Sequence, residues 1–362
     1  MNIKRAVLLG LSLTGAIVGV GFASGKEIWT FFAQYGYWSI LFCVLAGCLF
    51  GALAFLIFII SDYHREVDQA NICRRIKKRI IKKRKIAKYL LKNNTQKRKI
   101  IKNNATDIMF SVLLFVCQIS ICSAMFAGLG TVMLYLGAGG VSVLITKVAM
   151  LIFCFLYLSL SKSGVYIVNT FLSAVIMILI FVLFIASVGK YSVVVFDSTT
   201  KTGLIYMPLL FVGMNIFTTF PLLTELSNSI KAKKQKLLTA IFFGVFVTIV
   251  LTLVCVSELI FSKGTASDMP MLSLAVNSGK IMGIIYAIVI IASIISTCLS
   301  TGYGASVTLR LKIKYGLKLS FCLLLSFALS FVGFSGIVDY VYPALGLLCL
   351  VFIVVKFLSK RG

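Results

Sequence analysis

The chain has 362 residues, 60% of them hydrophobic and only 13% charged, with a net charge of +26. A soluble domain is about half apolar and a quarter charged, so this composition excludes a sizeable soluble domain. Apolar runs of about 20 residues recur along the chain, each long enough to cross a hydrocarbon core of roughly 30 Å. Strand-type alternation is absent, which leaves helices as the spanning element.

Ten spans are predicted, at about 6–33, 37–61, 108–136, 140–160, 164–188, 203–226, 237–261, 280–303, 316–334 and 337–358. The start has the outline of a signal peptide: Lys4 and Arg5, an apolar run, then small residues up to Ala23. The apolar character continues past Gly25 through Phe32, so the segment reads as the first span and not as a cleaved leader. After span two comes a dense basic block, from Arg65 to Lys102, within a loop over 62–107. Lys162 follows span four, Lys231, Lys233, Lys234 and Lys236 follow span six, Arg310, Lys312 and Lys314 follow span eight, and Lys356, Lys360 and Arg361 close the chain. The alternate loops hold only Lys190, Lys201, Lys263 and Lys280. By the positive-inside rule both termini are expected in the cytoplasm. The basic loop interleaves Ile and Leu with its charges and has Tyr89 as its aromatic residue. It reads as an amphipathic segment on the anionic inner leaflet, over 65–102, and not as a nucleic-acid surface.

The first span contains the stretch AIVGVGFASGKE, Ala16 to Glu27. Glycine costs about 1 kcal/mol against alanine inside a helix. Gly15 with Gly19, and Gly21 with Gly25, form GxxxG spacings that suit close helix packing. Packing does not explain Ser24, Lys26 and Glu27, because charge in mid-span is costly and usually functional. A broken helix explains the whole set: unwound backbone lining a cavity frees amide and carbonyl ends for an anionic group and a cation. A transporter built from two inverted repeats carries a second break in the matching span of its other half. With five spans per repeat, that is span six, where Pro208, Gly213, Asn215, Thr218, Thr219 and Pro221 fall together. An ordinary proline kink is the alternative for that span.

Gly19-x-Gly21-Phe22-Ala23-Ser24-Gly25-x-Glu27, followed by Phe31-Phe32 and Tyr35-Gly36, resembles the YkvI family of bacterial membrane proteins. That family belongs to the amino acid–polyamine–organocation superfamily. The resemblance implies an all-α polytopic fold of the LeuT type. It would have a 5+5 inverted repeat, over about 6–188 and 203–358, with helices one and six broken. It also implies a secondary transporter in the bacterial plasma membrane. Substrate would meet Gly19, Val20, Gly21, Phe22, Ala23 and Ser24 of span one and Gly213, Met214, Asn215, Phe217 and Thr218 of span six. Span three adds Cys117, Gln118 and Ser123 as polar candidates, Gln118 foremost. A sodium ion, in the sodium-coupled members, would take the carbonyls of Gly15 and Val18 with Ser293, Ser296 and Thr297 of span eight. Ser and Thr that only bond back to the helix are the plain alternative there. An outer gate of the related folds would pair Lys26 with Asp339, with Glu27 beside it. With no acidic residue evident in the pocket, the substrate is expected to be a small zwitterion or carboxylate.

The same residues leave two other classes open. One is a receptor or scaffold of the same fold, with the basic loop as its lipid- or partner-binding element. The other, an enzyme, lacks a paired-carboxylate, serine–histidine or metal-ligand set. The ten cysteines form no CxxC pair and read as small packing residues, and His64 is the only histidine, so no cofactor beyond sodium is implied.

Overall fold

The structure is a computed structural model. It describes the backbone of residues 3–36, 38–81, 94–160, 165–190, 206–262, 267–309 and 313–358, and their side chains except at 63–107, 165–170, 189–190, 262 and 356–358. The basic stretch 65–102, with its expected leaflet contact, lies outside the described side chains. Every described element is helical. Nine of the described helices are long and apolar enough to cross a bilayer, which makes this a multi-pass membrane protein. They are Trp38–Asp62 within α4 (Trp38–Ile81), Ile108–Tyr135 within α5 (Asn94–Tyr135), α6 (Gly140–Leu160), Phe171–Val188 within α7 (Val165–Lys190), α8 (Tyr206–Ser229), Lys233–Phe261 within α9 (Lys233–Ser262), α11 (Lys280–Thr308), Tyr315–Val332, which begins with α12 (Tyr315–Leu329), and Phe334–Val355.

The expected first span is not among these nine, because it is cut into three short helices: α1 (Ile3–Ile17), α2 (Val20–Ser24) and α3 (Lys26–Phe31). A short helix, α10 (Pro270–Ser278), precedes α11. The last span opens with α13 (Phe334–Gly336) and a π-helical turn at Ile337–Val341, then continues as α14 (Tyr342–Leu358).

The most extensive helix contacts join α4 with α9, α5 with α11, α8 with α14, α1 with α9 and α4 with α8. The α4–α9 seam is built on glycine. Gly47 and Gly51 of α4 face Gly244 of α9 so closely that a Cβ on Gly244 would stand 2.6 Å from the Gly47 carbonyl oxygen. In hydrocarbon there is no hydrophobic drive between helices, so such close backbone approach is what association rests on.

The expected break in span six is absent. α8 runs without interruption from Tyr206 to Ser229, through Pro221. Its polar residues bond within the helix: Asn215 Nδ2 donates to the Phe211 carbonyl at 3.0 Å, and the Thr218 and Thr219 hydroxyls donate to the Asn215 carbonyl at 3.0 and 2.7 Å. Pro221 lies on an exposed side, where the missing N–H can be tolerated without unwinding the chain.

A candidate site at the interrupted first helix

α1 ends when Val18 donates its amide to the Thr14 carbonyl at 2.8 Å, after which Val18 and Gly19 leave the helix. Gly19 is extended, at φ −129° and ψ −152°. Among the described residues no backbone amide closes onto the carbonyls of Gly15 or Val18. α2 then makes little more than one turn and stops at Gly25, whose φ of +80° is left-handed. An L side chain is strained there, which is why glycine holds the position. Ser24 ties the corner together: its hydroxyl donates to the Gly21 carbonyl at 3.1 Å and accepts from the Lys26 amide at 3.3 Å. From α11, the Tyr286 hydroxyl donates to the Ala23 carbonyl at 2.7 Å and fixes the end of α2 to the bundle.

Hydroxyl groups gather at the first gap. A Cβ on Gly19 would lie 4.0 Å from Thr297 Oγ1, and one on Gly15 would lie 3.5 Å from the Ser173 Cβ of α7. Ser293 and Ser296 are buried on α11, Ser293 one turn before Thr297 and Ser296 next to it. The neighbourhood therefore combines freed carbonyls with hydroxyls, a donor set that suits a hard cation.

Around α2 and α3 sits an aromatic cluster centred on Phe211 of α8. Its ring centroid lies 6.0 Å from Phe22, 5.4 Å from Phe31, 5.1 Å from Phe32 and 6.0 Å from Phe50. Asn215 is one turn further along the same face of α8 and is half-buried, as are Gly19, Glu27 and Thr297.

Lys26 and Glu27 adjoin in sequence and diverge in space. Lys26 Nζ lies 2.9 Å from Asp339 Oδ2, in the π-helical turn, and the Thr30 hydroxyl donates to Asp339 Oδ1 at 2.6 Å. Glu27 does not join this pair. Its carboxyl folds back over Gly21, where any Cβ would overlap it. Glu27 thus brings a carboxyl to the break, against Gly21.

Several expected positions lie elsewhere. Gly213 packs against Leu350 of α14. Phe217 stacks in a second aromatic cluster, 5.0 Å from Phe110 and 5.6 Å from Phe352. Both point to α14 and α5 because α8 continues as a regular helix and turns them away from α2. Thr218 is committed to its own backbone, and Ser24 to the α2–α3 corner. Val20 and Met214 are buried apolar side chains. Gln118 faces Gly304 of α11, where a Cβ would lie 3.0 Å from its Cδ, and its Oε1 is buried without a partner among the described residues. Seven residues separate Gly304 from Thr297, about 10 Å along a helix, so Gln118 is not at the break. Cys117 meets Cys349 of α14, with 3.6 Å between the sulfurs. Ser123 shares the face of Ile119 and Phe126, which meet Ser326 and Phe327 of α12.

The opposite end of the bundle holds a network with no counterpart in the sequence reading. Lys236 of α9, only 1% exposed, pairs with Asp62 of α4. It also donates to Ser227 Oγ at 2.7 Å, and Ser227 in turn donates to the Phe58 carbonyl at 3.1 Å. Nearby, Arg5 donates to the Ser229 carbonyl at 3.3 Å. Lys236 sits in a run of loop lysines, so its sequence signal was one of topology alone. Tyr286 had no signal beyond a phenol in an apolar run. Comparison of the chain with known protein families and with curated proteins finds no match.

Proposed function

We propose that the protein is a secondary transporter of a small amino acid or related zwitterion, coupled to sodium and working by alternating access. The observation that carries this reading is the interruption of the first span between Ile17 and Lys26, in a bundle whose other spans are continuous. Backbone is left unpaired at membrane depth only where it is buried or lines a cavity, and here it meets partly accessible polar groups.

The pattern of helix contacts supports a 5+5 inverted repeat. Exchanging spans one to five with six to ten maps the α1–α9 contact onto α8–α4, and maps α4–α9 and α5–α11 onto themselves. The lysine and arginine bias supports cytoplasmic termini, and the family resemblance suggests a bacterial plasma membrane. Lys26–Asp339 then closes the outer side and Lys236–Asp62 the inner side. In this reading the substrate lies against Gly19–Gly21, Phe22 and Asn215. Glu27 takes its ammonium group, which refines the expected chemistry toward a zwitterion. The Gly15 and Val18 carbonyls with Ser293, Ser296 and Thr297 fit sodium. The ion would supply positive charge beside the substrate carboxylate.

The test is thermal stability of the purified chain against a panel of amino acids, with sodium or potassium as the only alkali cation. A ligand at a hundredfold excess over its dissociation constant stabilises by about 2.7 kcal/mol. A sodium-dependent shift lost in Ser296→Ala/Thr297→Ala is expected. A shift equal in both salts removes sodium from the proposal. Uptake of the solute so identified into vesicles tests turnover, and binding without uptake would make the protein a receptor of the same architecture.

A further inference from the structure

Glu258 lies on α9 and is 1% exposed, and both of its carboxyl oxygens are buried without a hydrogen-bond partner among the described residues. It is wedged at the hinge of the interrupted helix. A Cβ on Gly25 would overlap Glu258 Oε1 and would stand 2.8 Å from Met271 Cγ and 3.2 Å from the Met271 amide of α10. The ionisable groups within electrostatic range of it are Lys26 of α3, Cys43 of α4, Cys255 one turn earlier on α9 and Tyr286 of α11. Lys26 is the one cation of this set, and it is already engaged by Asp339. An ionised carboxylate deprived of water, donors and a counter-ion is strongly disfavoured. The oxygens have almost no accessible surface, so nothing larger than a proton reaches them in this arrangement.

We propose that Glu258 is a proton-binding site that sets the partner of Lys26. In the closed arrangement Glu258 carries the proton and is neutral, and Lys26 pairs with Asp339. On opening, the Glu258 O–H bond breaks, its electron pair stays on the carboxylate, and the proton passes to water admitted as α3 tilts about Gly25. Lys26 then turns from Asp339 to Glu258. The exchange is feasible in this direction because the released Asp339 side chain is 33% exposed and can be hydrated, whereas the Glu258 oxygens meet no water until α3 moves. Two carboxylates on either side of one hinge compete for one ammonium, and a proton decides between them. The inference stands on this geometry and does not depend on what the protein transports.

Infrared spectroscopy of the purified full-length chain at neutral pH reads the proton directly, through the C=O stretch of a protonated carboxyl. The band is expected in the wild type, lost in Glu258→Gln and unchanged in Glu225→Gln, a carboxylate on the exposed side of α8. Asp339→Asn frees Lys26, so the band is expected to vanish there at the same pH. A folded Glu258→Gln variant that keeps the full band would overturn the proton site. An Asp339→Asn variant that keeps it would overturn the exchange of Lys26. If Glu258→Gln does not fold, the wild type and Asp339→Asn decide the matter between them, since a wild type without the band also sinks the proposal.

Discussion

Two lysine–aspartate pairs hold the two ends of this bundle, and they are built differently. Lys236–Asp62 joins two long helices, α9 and α4, along the glycine seam, and its ammonium also reaches Ser227 at the end of α8. Lys26–Asp339 joins a six-residue helix, α3, to a π-helical turn, and α3 hangs from a left-handed glycine. Lysine is buried in both pairs. The difference lies in what happens to the rest of the structure when a pair opens. Parting Lys236 from Asp62 requires long packed helices to separate or leaves an ammonium in the core. Parting Lys26 from Asp339 requires one short element to tilt, with a second carboxylate nearby to receive the ammonium. The same two residue types therefore make a clamp at one end and a latch at the other.

The largest effect is expected at the clamp. Asp62→Ala leaves the Lys236 ammonium, 1% exposed, in the core without its counter-ion, and removing one partner of a buried pair costs about 3–5 kcal/mol. Thermal unfolding in detergent should fall sharply, and more than for the double change Lys236→Met/Asp62→Asn. An Asp62→Ala protein as stable as the wild type would erase the distinction between the ends.

Next comes the hinge. Gly25→Ala places a side chain at positive φ and into the Glu258 carboxyl, so a loss of about 1–3 kcal/mol is expected. The same change at Gly316, where a Cβ meets open space, should have little effect on the unfolding temperature. Equal effects at the two glycines would mean that the corner between α2 and α3 is not the constrained point described here.

A smaller change is expected from Tyr286→Phe, which leaves the Ala23 carbonyl without its donor and costs about 1 kcal/mol. Its unfolding curve should shift modestly, and Ser24→Ala at the same corner should add to it non-additively, because both bonds hold the same turn.

The smallest stability effect belongs to the latch. Asp339→Asn should change stability by no more than about 1 kcal/mol, because the Asp339 side chain is 33% exposed and Glu258 stands ready to take Lys26. It should nevertheless abolish the ligand-dependent thermal shift, whereas Lys26→Asp, which buries a carboxylate beside Asp339, should lower the unfolding temperature clearly unless Asp339→Lys accompanies it. Failure of the double swap to recover the shift would reduce the pair to a packing contact.

How far the site was legible follows the range of the forces involved. The α2–α3 corner could be read because its cause is local: Gly19, Gly21 and Gly25 weaken the helix where they stand, and Ser24 bonds within three residues of itself. Span six misled because its signals were just as local but were satisfied within the helix, Asn215 and the threonines bonding to carbonyls one turn back. Gly213 and Phe217 then turned toward α14, a direction set by helix packing and not by their own sequence neighbours. Gln118 was correctly suspect as a polar group in an apolar span, yet its register against α11 puts it beside Gly304 and away from Thr297.

The sequence by itself determined that the chain crosses a membrane many times, through runs of apolar residues whose length alone matches a bilayer, and that the first of those runs cannot remain one helix. Only the tertiary structure decided the fate of the charges. Lys26, Glu27, Lys236 and Glu258 all stand at or beside an apolar run, and nothing within a helical turn says which partner each will meet. Their roles depend on which helix passes within 3 Å and on whether water is excluded there, and both are properties of the packed bundle.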